Sequence, residues 1–159
     1  MSKLIPLTRG YEAIVDDEDF EWLSQFKWCY STGYAVRKKN YKLLMMHREI
    51  MQTPLDMDTD HINRNRLDNR RSNLRIVTTS QNLMNRAKMV GHSTSIYKGV
   101  SKLTPRETQR RNPWRACIRI DSRLVHIGLF LDEIEAARAY DAKAREVFGE
   151  FAFLNFPDA

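Results

Sequence analysis

Asp60 and His61 are neighbours in a polar run that extends from Met57 to Asn82, with Asn73 twelve residues after His61 and Asn82 nine residues further on. These residue types at this spacing suit the hydrolysis of a phosphodiester. An unperturbed imidazole titrates near neutral pH, so His61 is a general base able to take the proton of an attacking water. The crowded, charged phosphorus and the leaving oxygen also need neutralising. A hard divalent cation, Mg2+ or Mn2+, does this when a few protein oxygens hold it and the rest of its shell is water and substrate phosphate. Asp60 and Asn82 offer one carboxylate and one amide oxygen for such an ion. Asn85 lies one helical turn beyond Asn82 and is the alternative last ligand.

Two strands and a helix must bring these groups together. A strand ending at His61, a compact strand signal from Leu74 to Thr78, and a helix capped by Thr79 or Ser80 and running to about Arg86 would converge the oxygens of Asp60 and Asn82, with Asn73 in the intervening loop. Upstream, Tyr11–Val15, Trp28–Tyr30, Tyr34–Arg37 and Leu43–Ile50 read as short strands, separated by turn formers such as Thr32-Gly33 and Lys39-Asn40. Asp16–Phe26 reads as a short amphipathic helix, with acids at its start and Phe20, Leu23 and Phe26 at helical spacing. Trp22, Trp28, Phe20 and Phe26 are expected to build the core of this half.

A polar stretch without periodicity, around Lys88 to Ser95, reads as a linker. After it come three strand candidates, Tyr97–Leu103, Trp114–Ile120 and Leu124–Phe130, and then a helix. Asp132 and Glu135 form a capping box, Gly149 is a stop, and Ile134, Ala137, Tyr140, Ala144 and Val147 make one apolar face. Along Trp114–Ile120, Arg115, Cys117 and Arg119 share one face while Trp114, Ala116, Ile118 and Ile120 share the other. The apolar side should take the helix, leaving the basic side for a polyanion.

Charge distribution points the same way. The chain of 159 residues carries a formal net charge of +6. Between His61 and Val90 seven basic residues face the single acid Asp68, and between His92 and Leu131 eight basics face Glu107 and Asp121, so each segment is +6 and the remainder is net acidic. Two separate basic clusters favour phosphate binding over a merely solvated face. Nothing approaches the apolar length of a membrane span, and the first residues lack a secretory pattern, so the protein is expected to stay in the cytoplasm where it is made. Cys29 and Cys117 form no CxxC pair and are expected to be buried apolar fillers.

The Asp-His-Ile-Asn run at residues 60–63 and the Asn-Leu-Arg at 73–75 resemble the ββα-metal motif of HNH nucleases, in particular the phage and intron-encoded homing type, over residues 44–85. That resemblance implies that Asp60 and Asn82 bind the metal, that His61 activates water and that Asn73 ties the loop together. Its spacing prefers Asn82 to Asn85. His47 matches a habit of the same family and is a secondary candidate; a strand histidine packed near the fold centre is the alternative. Arg64, Arg66, Arg70, Arg71 and Arg75 would clamp backbone phosphates near the cut. No paired zinc-binding cysteines lie nearby, as in this variant of the family.

Residues 95–157 resemble the DNA-binding domain of plant ethylene-response factors. Tyr97, Gly99 and Val100, Trp114 to Ile118, His126 to Phe130, Glu135 to Asp141 and Gly149 to Pro157 carry the likeness. Such domains lay a three-stranded antiparallel sheet in the major groove with the helix behind it, which implies that Arg115 and Arg119 face DNA and that Lys98, Lys102, Arg123 and His126 extend the surface. Ser101 and Cys117 replace arginines usual in the plant domains, so the plant sequence preference does not transfer.

The resulting expectation is an α+β chain: a nuclease module over residues 1–88, a linker over 89–95 and a DNA-reading module over 96–159, a three-stranded antiparallel sheet packed on one helix. Double-stranded DNA is the expected partner; the oligomeric state is open. The rival from another class is a non-catalytic DNA-binding regulator on an HNH-like scaffold, and a third reading is a nuclease indifferent to sequence.

Overall fold

The computed structural model describes residues 1–88, 94–104 and 113–157. Its chain divides into two compact units, Met1–Leu83 and Met84–Ala159. Most of the expected linker, residues 89–93, lies outside the described residues. The described residues form four α-helices and four small antiparallel sheets, an α+β arrangement.

The first unit opens with a hairpin of β1 (Ser2–Pro6) and β2 (Glu12–Asp16). Ile5, Ala13 and Val15 are buried. The pattern is strand-like from Leu4 onward, and β1 stands at its start, its buried face set by β2 beside it. The acidic start of α1 (Asp17–Leu23) suits the positive end of the helix dipole. Leu23 is buried, but Phe26 is not the core residue expected: it is 38% exposed, with the Arg37 guanidinium 3.8 Å from its ring centroid.

Two tight hairpins follow, joining β3 (Cys29–Ser31), β4 (Tyr34–Lys39) and β5 (Lys42–Met45) into a three-stranded sheet. Thr32 and Gly33 take up positive φ in the first turn, Asn40 and Tyr41 in the second. Both turns thus have the left-handed central pair that matches strand twist. Cys29 is exposed and Cys117 half-buried, which corrects the expectation that both fill a core.

Leu43–Ile50 is not one strand. β5 stops at Met45 and Met46–Met51 forms helix α2. Met46, His47 and Ile50 are buried together, a helical spacing over a run too short for its periodicity to outweigh strand propensity. Arg37 on β4 grips Glu49 on α2 through a two-pronged ion pair at 2.7 and 2.8 Å, which fixes the helix on the sheet.

β6 (Asp58–His61) and β7 (Leu74–Val77) form the next hairpin, and α3 (Thr79–Met84) follows. The cap of α3 is Thr78, one residue before the positions expected. Its hydroxyl accepts from Gln81 N, and the Gln81 side-chain oxygen accepts from Thr78 N, a reciprocal capping box. The β6–β7 loop docks back on β2, where Ile14 N donates to Leu67 O and Asn69 N donates to Ile14 O.

In the second unit β8 (Val100–Lys102), β9 (Trp114–Ile120) and β10 (Arg123–Phe130) make an antiparallel sheet covered by α4 (Glu133–Phe148). Asp132 caps α4 by accepting from Ile134 N and Glu135 N. The buried helix face is Ala136, Ala137, Tyr140, Asp141 and Ala144, against Val100, Ala116 and Ile118. Ile134, expected on that face, is 43% exposed, and Ala136 and Asp141 lie inside instead. The Asp141 carboxylate is satisfied by Asn155 and by the Asn155 and Phe156 amides, which pins the C-terminal segment beneath the helix. The small side chains let backbone approach closely: at Gly99 (φ +76) an added Cβ would lie 2.0 Å from the Tyr140 ring. The Lys88 ammonium, close to the start of this unit, donates to the carbonyls of Ser95, Tyr97 and Val100.

Candidate functional site

The candidate site is built on the two faces of β6. Strand alternation places Asp58 and Asp60 on one side and Thr59 and His61 on the other. Cross-strand pairing sets Asp60 opposite Arg75 and His61 opposite Leu74.

On the acidic side, the Asp60 carboxylate is buried, 7% exposed, and its Oδ2 accepts from Arg75 Nε and Nη2 at 3.0 and 2.8 Å. Asn82, carried in by α3, donates its Nδ2 to Asp58 Oδ2 at 3.2 Å. The amide nitrogen is therefore turned to Asp58, and the amide oxygen is the atom left to act as a ligand. Asp58 was passed over in the sequence, although it stands two residues before Asp60 and alternation alone puts both on one face. Arg48 lies 3.9 Å from Asp58 and donates to the Met57 and Pro54 carbonyls, holding the approach to β6. Asp58, Asp60 and Asn82 together are an all-oxygen donor set, which fits a hard divalent cation. Asn85, the alternative ligand, is buried in the second unit.

On the other side His61 is only 4% exposed. Its ring meets that of His47 edge to face at 4.9 Å, and Tyr34 lies 6.2 Å away. His61 Nε2 is 3.3 Å from Asn69 Oδ1. Burial is the main cause that lowers the His61 pKa, against the opposing pull of Asn69, Asp60 and Asp68. Burial, then His61 and Arg48, push His47 down to about 3. Both rings are thus neutral at pH 7. His47 sits on a helix, not on the strand expected, which is how it reaches His61 from the far side of the hairpin.

The β6–β7 loop is a web of side-chain bonds. Asn73 accepts from Asn63 N through Oδ1 and donates from Nδ2 to Asp68 O; Asn63 Nδ2 donates to Asp68 Oδ2. Three arginines expected to meet phosphates are instead engaged by acids of this chain. Arg70 makes a fork with Asp68, whose carboxyl it holds below its ordinary range. Arg71 makes one with Asp19. Arg75 is held by Asp60. Arg75, 13% exposed in its pair with Asp60, gives up a buried ion pair if it turns to DNA, whereas the forked Arg70 and Arg71 keep side chains 41% and 46% exposed, where an ion pair holds weakly. Asp16, Glu18 and Asp19, a cluster of carboxylates close enough to suggest an ion, all engage Arg71. Arg64 and Arg66 remain exposed; Arg66 lies over the Tyr34 ring at 4.6 Å and donates to Thr32 O.

In the second unit, β9 alternates as its residue types suggested, with Ala116 and Ile118 buried under α4 and Arg119 exposed on the opposite face. His126 pairs with Cys117, and Leu124 with Arg119, so Arg115, Arg119 and His126 share the outer face. Lys102 pairs with Trp114 and Arg123 with Ile120, which puts both on the helix side of the sheet, not on the outer face expected. The half-buried Lys98 donates its ammonium to the carbonyls of Met84 and Arg86 within the second unit.

Residues 52–84, which span β6, β7 and α3, match the HNH endonuclease family. An uncharacterized HNH endonuclease of Acanthamoeba polyphaga mimivirus is 32% identical over 157 residues, which cover 92% of this chain and 76% of that protein. This chain belongs to the HNH endonuclease family. Membership implies a DNA substrate and, as in HNH nucleases generally, a divalent metal. No solved structure matches the chain. Among the described residues no helix is long and apolar enough to cross a membrane.

Proposed function

We propose that this chain is a site-directed DNA endonuclease of the homing type, in which a ββα-metal unit cuts one phosphodiester and an ethylene-response-factor-like module positions it. The observation that carries this reading is the delivery of Asn82 by α3 to the acidic face of β6, with His61 next in sequence to Asp60. In this reading Asp60 and Asn82 are the metal ligands, with Asp58 beside them, and the oxygen chemistry of the three side chains supports it. A divalent ion bound there would supply positive charge to the phosphate and the leaving oxygen.

The protein's own groups do the rest. Neutral His61 takes the proton of the attacking water as its oxygen bonds to phosphorus; the phosphorus–oxygen ester bond breaks, and the departing oxygen gains a proton from solvent. Asn73 fixes the loop that carries Asn69. Arg66, set over Tyr34, lies on the His61 side of the hairpin to hold a neighbouring phosphate. Arg115, Arg119 and His126 on the outer sheet face read DNA, where an arginine fork suits guanine edges or phosphates. Joining a reader to a cutter raises the local concentration of the cutter at its target.

The small exposure of His61 favours the rival reading, a DNA-binding regulator. Supercoiled plasmid with Mg2+ or Mn2+ separates the two. Nicking that disappears in His61→Ala while DNA binding persists is the expected result; binding with no cutting under either metal overturns the reading. Deleting residues 95–159 should weaken binding and scatter the cut positions, and an unchanged pattern would mean a sequence-indifferent nuclease.

A further inference from the structure

Between Trp22 and Arg48 the chain has six basic residues and no acid, a local excess that the acids of α1 hide in any wider count. Four of the six, Arg37, Lys38, Lys39 and Lys42, lie on the β4–β5 hairpin. Arg37 is engaged by Glu49, whereas Lys38, Lys39 and Lys42 are exposed and have no acidic partner among the described residues. Cross-strand pairing sets Lys39 opposite Lys42 at the last rung before the turn. Residues paired in this way share a face with their Cβ atoms roughly 5 Å apart, and like charges there are destabilising. The turn itself is a second anomaly. Tyr41 holds φ +61 at the second central position, where glycine is preferred, and its side chain is fully exposed at 106%. Neither packing nor turn geometry calls for a tyrosine there, or for facing lysines beside it.

We propose that the tip of the β4–β5 hairpin is a DNA-contacting element of the first unit, in which Lys39 and Lys42 straddle a backbone phosphate and Tyr41 lays its ring in the adjoining groove. This rests on the reading of duplex DNA as the substrate. An anion between the two ammoniums turns their repulsion into attraction, so the rung that is unfavourable in the free protein is satisfied on DNA. The exposed ring beside them gains by leaving water when it meets sugar and base edges. The hairpin is also well placed for the cut. Tyr34, at the other end of β4, has its ring 6.2 Å from that of His61. The five steps from Tyr34 to Lys39 span about 17 Å of strand. That is about half of the roughly 34 Å turn of a B-form duplex, so a DNA that passes His61 is within reach of the hairpin tip. The contact is to backbone and groove, and it adds affinity near the cut without specifying a sequence.

The test measures binding of the full chain to linear duplex DNA of mixed sequence, in EDTA so that nothing is cut, across a range of KCl concentrations and beside thermal melting. Lys39→Gln/Lys42→Gln should lower the slope of log affinity against log salt by about 0.9, the loss of one phosphate contact. Its melting temperature should not fall, since the substitutions relieve a like-charge rung. Tyr41→Gly should bind roughly fivefold weaker or worse at every salt concentration, the effect of losing an aromatic anchor, with the slope unchanged. It should melt no lower than wild type, because glycine accepts that φ without strain. Variants that bind as wild type does overturn the inference and leave the substrate reading standing; a wild-type chain that binds no duplex DNA overturns both.

Discussion

His47 and His61 approach edge to face with their centroids 4.9 Å apart, one from α2 and the other from the end of β6. Two neutral imidazoles can share that space; two cations cannot.

The pair should therefore make stability depend on pH. His47 is held down from 6.5 to about 3 and His61 is shifted in the same direction. Below pH 6.5 the unfolded chain takes up protons that the folded chain refuses, so stability is full above 6.5 and is lost as pH falls toward 3. The melting temperature should drop across that window, at about 1.4 kcal/mol per pH unit for each histidine still neutral in the fold. His47→Gln should flatten the slope; an equally steep decline in that variant would mean that other groups cause it.

Arg75 and Asp60 form a pair with side chains 13% and 8% exposed. Removing the guanidinium strands a buried carboxylate, so Arg75→Ala should lose roughly 3 kcal/mol of stability. A divalent cation at Asp60 would compensate it. Millimolar Mn2+ is expected to raise the melting temperature of Arg75→Ala more than that of wild type, and to do neither in Asp60→Asn/Arg75→Ala. Equal shifts in all three proteins would place the ion elsewhere.

Arg119 and Lys98 should behave oppositely. Arg119→Ala is expected to weaken DNA binding and, if the contact is to phosphate, to reduce the slope of log affinity against log salt by about 0.9. Lys98→Ala removes an ammonium from the Met84 and Arg86 carbonyls, so its cost should be thermal stability, with the salt slope unchanged. A change of slope in Lys98→Ala would return that residue to the DNA surface.

Gly99 has no room for a side chain. An added methyl would meet the Tyr140 ring at 2.0 Å and the Cys117 carbonyl at 2.7 Å, at a φ of +76 that disfavours it independently. Gly99→Ala should destabilise the chain by more than roughly 2 kcal/mol in denaturant titration. A smaller loss would require Tyr140 to yield.

The clearest sequence signals were those enforced over many residues or by a cap. The alternation in Trp114–Ile120 and the Asp132 cap of α4 appear where their patterns put them. Short elements were harder. Met46–Met51 makes less than two turns, and its buried residues are equally compatible with a strand until Glu49 is seen gripping Arg37. The pairing of charges was not legible at all. Arg70, Arg71 and Arg75 look alike in sequence, but the acids that claim them depend on the loop web and on the hairpin register. Asp58 shares a face with Asp60 by strand alternation alone, but its bond to Asn82, 24 positions away, forms only after α3 folds back.

The Lys88 ammonium serves three main-chain oxygens that lie after residues 89–93. A fragment cut to begin at Ser95 would carry those oxygens to the surface with no cation to answer them, and burial that now lowers the Lys88 pKa would be undone. Dissection of the two units into separately expressed pieces therefore has a preferred scissor point upstream of Lys88, close to Met84, where Lys98 also finds its acceptors.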